Sequence, residues 1–196
     1  MLKVAVLVKF HDRMLKTTSW PDEAHAEITR APRLSEAIVH NHRYNTLLWQ
    51  QEDQARRVDV PAEHIVASKR RIDILNQQRN DAVEQIDDTL LSMLDSDAIT
   101  AGACQHSETP GAIIDRLSIL ALKIFHMSQQ LERKDVGTAH IAHCSHKLHR
   151  LRVQRLELAG CLRKLLTDIQ AGSAYFHAYR QFKMYNDPAL NPWLRK

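Results

Sequence analysis

From Ala62 to Leu94 the chain contains neither glycine nor proline, and its apolar residues recur at the helical period. Ile65, Ile72, Leu75, Ala82, Val83, Ile86, Leu90 and Met93 share one broad arc when successive residues are rotated by about 100°. Such an arc has to be covered by partners of similar length. Three further segments are long enough. One runs from about Leu34 to Arg57 and stops where Pro61 biases Val60 away from helical dihedrals. Another starts at Pro110, with Thr109 placed to cap it, and reaches about Arg133. The last follows the turn "KDVGT", has Thr138 placed to cap it, and continues to about Gln170.

The remaining segments are shorter. "VAVLVKFHDRML" has strand propensity, but Val6, Leu7, Phe10 and Met14 keep a helical spacing, and helix is favoured. "TTSWPDEAHAEITRAPR" is a connector and "DSDAITAGACQHSETPG" a loop. After Gly172 and Ser173, "AYFHAYRQFKMY" is expected to form a short aromatic helix before an irregular tail. The fold class predicted is all-α: an antiparallel four-helix core with an extra N-terminal helix and a short aromatic C-terminal helix plus tail. One domain is expected over residues 1–196, with a core bundle at 34–170 and appendages at 1–33 and 171–196.

Composition excludes several classes. Apolar residues at 44% can bury a core, while 5 Gly and 6 Pro argue against a turn-rich β fold. The net charge of +4 is mild and the bases are not in long runs, so no nucleic-acid partner is expected. Cys104, Cys144 and Cys161 form no CxxC pair, which fits reduced thiols. The apolar run "VAVLV" is too short for a membrane span, and no small-residue cleavage site follows it. A cytoplasmic location without a membrane span is therefore expected.

The stretch "KRRIDILNQQRNDAVEQID", Lys69 to Asp87, is mostly polar although it lies in the long helix. Arg79 falls in the middle of the apolar arc. Asp73, Asn76, Asn80, Glu84 and Asp87 form a narrow stripe beside it. On the helix from Leu34, the residues Leu34, Ala37, Tyr44, Leu48 and Ala55 mark the apolar side, with Trp49 at its edge. Asn41, Asn45 and Glu52 fall within that side, and Asp53 and Arg56 flank it. The helix from Pro110 is apolar nearly all round, which suits a central position or a subunit interface, and Asp115 lies on one of its apolar faces. An arginine on an apolar face requires a carboxylate. Arg79 is accordingly expected to pair with Glu52, Asp115 or both, with Asn45, Asn76 and Asn80 satisfying the remaining groups. A network of this kind can fix helix register as readily as it can bind a ligand.

Three features could carry chemistry. The first is the acid set Glu52, Asp53, Asp81, Glu84 and Asp87. Glu84 and Asp87 form an ExxD pair on one face, and magnesium is the cation such carboxylates would take with substrate phosphates. The pattern resembles that of all-α nucleoside triphosphate pyrophosphohydrolases, but "WQQED" lacks their ExxE half. The second is the run His140, His143, His146 and His149. Spacing by three drifts about 60° per step, so the four fan across half the helix and form a solvated surface rather than one metal site. His40 and His42 point to different sides of their helix. The third is the set Phe176, Tyr179 and Phe182, with Arg180 and Lys183 between, read as packing rather than as a base-stacking platform.

Four blocks, "NTLLWQQEDQARR", "IVASKRRIDILNQQRNDAVEQID", "ETPGAIIDRLSILALKIFHM" and "FKMYNDPALNP", resemble the bacterial family catalogued as domain of unknown function 4254. The resemblance covers the chain from about residue 35 to the tail. It is carried by Leu48-Trp49 with Glu52-Asp53 and Ala55-Arg56, by Arg79-Asn80-Asp81, and by Asp115 to Leu120. It implies a cytoplasmic, mainly helical bacterial protein in the context of envelope polysaccharide synthesis, hence of sugars or sugar nucleotides, with no established activity.

The expectation that follows is a site between the first three long helices for a phosphorylated or nucleotide-linked sugar. Arg56, Arg79 and Arg116 would neutralise anionic oxygens, with Asn45, Asp53 and Asn80 as further ligand contacts. Glu52, Asp81 and Asp115 would orient the ligand or act as acid and base. Glu84 and Asp87 would hold a metal. The rival expectation is a non-enzymatic partner of a glycosyltransferase, or a homo-oligomer, docking through the helix from Pro110 or the C-terminal segment. A metal-dependent nucleotide pyrophosphohydrolase is third.

Overall fold

The structure, a computed structural model, describes residues 2–23, 26–94, 99–184 and 187–195. Residues 24–25 of the expected connector, 95–98 of the expected loop, and 185–186 of the C-terminal block lie outside the described residues. Five helices follow in order: α1 (Val4–Met14), α2 (Pro32–Ala55), α3 (Ala62–Ser92), α4 (Pro110–Leu131) and α5 (Thr138–Gln170). Thr109 caps α4 as expected, its side chain accepting from the Ala112 N–H at 3.1 Å. The N-cap of α5 is Gly137, one residue before the threonine that could have served. No described helix is long and apolar enough to cross a membrane.

The helices form two hairpins, α2–α3 and α4–α5, joined through α4. Because α4 is apolar on both faces it packs on α1, α2, α3 and α5 alike. The main core gathers Leu7 and Phe10 of α1, Leu34 and Ile38 of α2, Ile86 of α3, Ile114 and Leu117 of α4, and Leu162 and Leu166 of α5. A smaller core of Leu48, Ile72 and Leu75 closes the α2–α3 hairpin near its turn. α3 and α4 approach closely at Gly111: a Cβ there would lie 2.6 Å from the Val83 carbonyl oxygen.

The expected aromatic C-terminal helix does not form. Gly172, at φ 73°, ends α5 in the left-handed region that glycine adopts without strain. The chain then extends as β2 (Ala174–Phe176), pairing in parallel with β1 (Cys104–His106). Ala174 and Phe176 alternate into the core, whereas Tyr179 and Phe182 are exposed. Period-two burial of three residues won over the helical spacing of the aromatics.

Candidate functional site

Two polar clusters lie along α2. The first is closed. Asn41 and Asn45 each donate an Nδ2–H to Asp115 Oδ1, both at 2.8 Å. Asn45 also donates to Ser118 Oγ at 3.0 Å, and His42 Nδ1 lies 2.8 Å from the same oxygen. Asn41, His42, Asn45 and Ser118 are buried and Asp115 half-buried, so the expected shelter of Asp115 is real. Its partners, however, are amides rather than Arg79. The His42 ring is packed between Trp20 (centroids 5.1 Å apart) and His11 (4.5 Å). Burial pushes the His42 pKa down to about 3. Burial, then His42 and Arg155, hold His11 well below its ordinary value. Both rings are thus neutral constituents of the core.

The second cluster is open. Trp49, Glu52, Asp53 and Arg56 occur at the i, i+3, i+4, i+7 spacing of one helix face, and together they line a cleft of about 410 Å3. Asn45 lies deeper on α2, and Asn76 and Arg79 form the α3 wall. The expected ion pair of Arg79 with Glu52 or Asp115 is not made. Glu52 pairs instead with Arg56, one turn along α2, at 2.8 Å and with 43% and 68% of the two side chains exposed. Arg79 is half-buried, its Nη2–H donates to Asn80 Oδ1 at 3.1 Å, and its buried Nε–H has no hydrogen-bond partner. No described carboxylate forms an ion pair with it. Lys183 stands close by, its pKa lowered by burial and then by the Arg79 charge.

The remaining sequence-derived candidates are dispersed. Asp81 is exposed and accepts from Gln77 at 2.7 Å, and neither it nor Asp115 lines the cleft that holds Glu52. Arg116 pairs with Glu108 and faces a different hollow, on the α5 side of α4. Asn80 donates to Gln181 Oε1 at 2.8 Å. Glu84 and Asp87 face different partners. Glu84 accepts from Arg180 at 2.9 Å and from the Gln181 N–H at 3.0 Å, with Asp88 completing the grip on Arg180 at 2.8 Å. Asp87 is buried, accepting from the Gly111 N–H at 2.7 Å. Burial raises its pKa to about 6 against the lowering effect of its bonds to Thr109 and Gly111. Among the described residues, no group of three or more His, Cys, Asp or Glu could hold a metal ion. Part of the acid stripe therefore fastens the C-terminal segment and the start of α4.

Trp49 and Asn76 were visible in the sequence as an edge residue and a hydrogen-bonding residue. Their shared cleft with Glu52 and Arg79 became evident only once α2 and α3 were aligned. These features define an all-α protein with an open cleft of mixed charge at one end of a helical hairpin. The chain belongs to the family described as Protein of unknown function (DUF4254), which matches residues 35–178, from α2 through β2. No curated protein and no solved structure matches it.

Proposed function

We propose that the cleft between α2, α3 and α4 binds a small phosphorylated sugar, free or linked to a nucleotide. The observation that carries this reading is Arg79: a half-buried guanidinium on a cleft wall, with no carboxylate partner and a buried Nε–H that no acceptor meets. A phosphate oxygen suits such a donor, and arginine's planar fork suits two of them. Lys183 adds positive charge beside it. Glu52, Asp53 and Asn76 are the acceptors and amide that sugar hydroxyls require, and the Trp49 indole offers an apolar edge for a pyranose face. The cleft lies within the volume range of small-molecule sites, roughly 300–1,000 Å3.

The test is thermal unfolding with glucose 1-phosphate and UDP-glucose, with and without magnesium. A ligand that binds only the folded chain raises Tm by mass action. The expected result is a rise that Arg79→Gln abolishes while leaving the ligand-free Tm nearly unchanged. A flat response of the unmodified protein to both compounds, at any magnesium level, overturns the reading.

A second reading, docking of a protein partner on the C-terminal segment, is favoured by Phe182 and Trp193, which are 85% and 93% exposed. It predicts that Phe182→Ser abolishes copurification with a glycosyltransferase and leaves the Tm shift with sugar phosphates intact.

A further inference from the structure

Beyond Trp49 lies a second hollow, of about 600 Å3, between the C-terminal half of α4 and the N-terminal half of α5. α4 contributes Lys123 and His126, spaced by three. α5 contributes His143, His146, Lys147 and Arg150, whose spacings of three, one and three keep them on one face. The histidine run, read from sequence as a solvated fan, is thus divided, and two of its members turn with two bases toward Lys123. No aspartate or glutamate lines the hollow. Among the described residues, no acid forms an ion pair with Lys123, Lys147 or Arg150. Some exposed bases elsewhere are matched, as in Lys164 with Asp168 at 2.6 Å or Arg57 with Asp59 at 2.7 Å. At one end His126 stacks on Trp49, centroids 4.6 Å apart and planes 9° from parallel, which gives the hollow a rigid wall.

We propose that this α4–α5 groove is an anion site for a small oligophosphate, a diphosphate or triphosphate group. Three permanent cations converge from two helices on one concavity. Their mutual repulsion becomes attraction when a multiply charged anion lies between them. Arg150 can engage two phosphate oxygens at once and Lys123 and Lys147 act as point charges from either wall. The ring N–H groups of His143 and His146 can add donors. The hollow is concave and of small-molecule size, which favours a compact ligand over a nucleic-acid strand. This site differs from the Arg79 cleft in position and charge, and the proposal stands whether or not that cleft binds a sugar phosphate.

The test is isothermal titration of the full chain with inorganic triphosphate and with ATP in magnesium-free buffer. The variants are the Lys147→Gln, Arg150→Gln double substitution and, separately, Arg79→Gln. Lys147 and Arg150 are exposed, so circular dichroism is expected to show an unchanged fold. The double variant should lose triphosphate affinity by about tenfold or more, as loss of charge-assisted bonds implies, whether introduced into the unmodified chain or on top of Arg79→Gln. Equal affinity for ATP assigns the site to the phosphates alone and tighter ATP binding assigns it to a nucleotide; both uphold it. No binding of triphosphate, or binding lost in Arg79→Gln and kept in the double variant, overturns it. So does preference for an RNA oligonucleotide over triphosphate that vanishes in the double variant.

Discussion

Two turns of α2 separate a closed polar cluster from an open one. At Asn41, His42 and Asn45 the helix faces α4, and both amide groups and His42 Nδ1 meet Asp115 or Ser118 within hydrogen-bond distance, while Asn41 Oδ1 and His42 Nε2 are buried without a partner. At Glu52, Asp53 and Arg56 it faces a cleft, its one ion pair stays within α2, and Arg79 across the way lacks an acid. Both clusters interrupt an apolar helix face, so they look alike as pattern. They differ in what burial demands. A group shut away from water can be satisfied only by protein, and where it is, the bond ties two helices together. A group on an open wall keeps its capacity for something else.

The largest test of this contrast is Asp115→Ala. It leaves two buried amide donors without their acceptor and should lower stability by about 2–4 kcal/mol in urea unfolding. A loss no larger than that of Glu52→Gln would mean that the closed cluster holds nothing. Next is Gly111→Ala, where a Cβ would meet the Val83 carbonyl and the Asp87 carboxylate, at 2.6 and 2.8 Å. Forced separation of α3 from α4 should cost about 1–3 kcal/mol, and Asp87→Asn should not rescue it because the backbone contact remains.

Acidification tests the buried rings. The unfolded chain takes protons on His11 and His42 near pH 6.5, while the fold keeps both neutral, His42 to about pH 3. Stability is therefore fully present above pH 6.5 and falls as pH drops below it. Asp87 acts oppositely: raised to about 6 from 3.8, it favours the fold while protonated, and that contribution is lost as pH rises through this window. Two histidines against one aspartate leave stability falling on balance as pH drops from 6 toward 4. Asp87→Asn should steepen that fall, measured by chemical unfolding at several pH values. The smallest effects are expected at the open cluster. Glu52→Gln and Arg79→Gln should each change stability by under about 1 kcal/mol, because the one ion pair there is exposed. A loss of several kcal/mol in either would make the cleft part of the scaffold.

Much of this was legible in the residues. The four long helices, the Thr109 cap, the central role of α4 and the shelter of Asp115 follow from periodicity, proline position and two-faced apolarity. The interruption of apolar faces at Asn41, Asn45, Glu52 and Arg79 was also visible, and all four lie in one or other cluster. The β1–β2 pair was not legible, since three-residue strands carry too little pattern and their partners lie 70 residues apart in register, Cys104 against Ala174. Nor was the fastening of Arg180 by Glu84 and Asp88, which joins the C-terminal segment to α3.

The sequence by itself determined where helices run and which way each side chain points about its own axis, because a fixed turn per residue makes direction a local property. Only the tertiary structure decided which acid meets which base. That choice depends on how far one helix slides and rolls against the next, set by the sum of many contacts such as the close approach at Gly111. Hence Asp115 went to two asparagines, Glu52 to its own helix, and Arg79 was left facing the cleft.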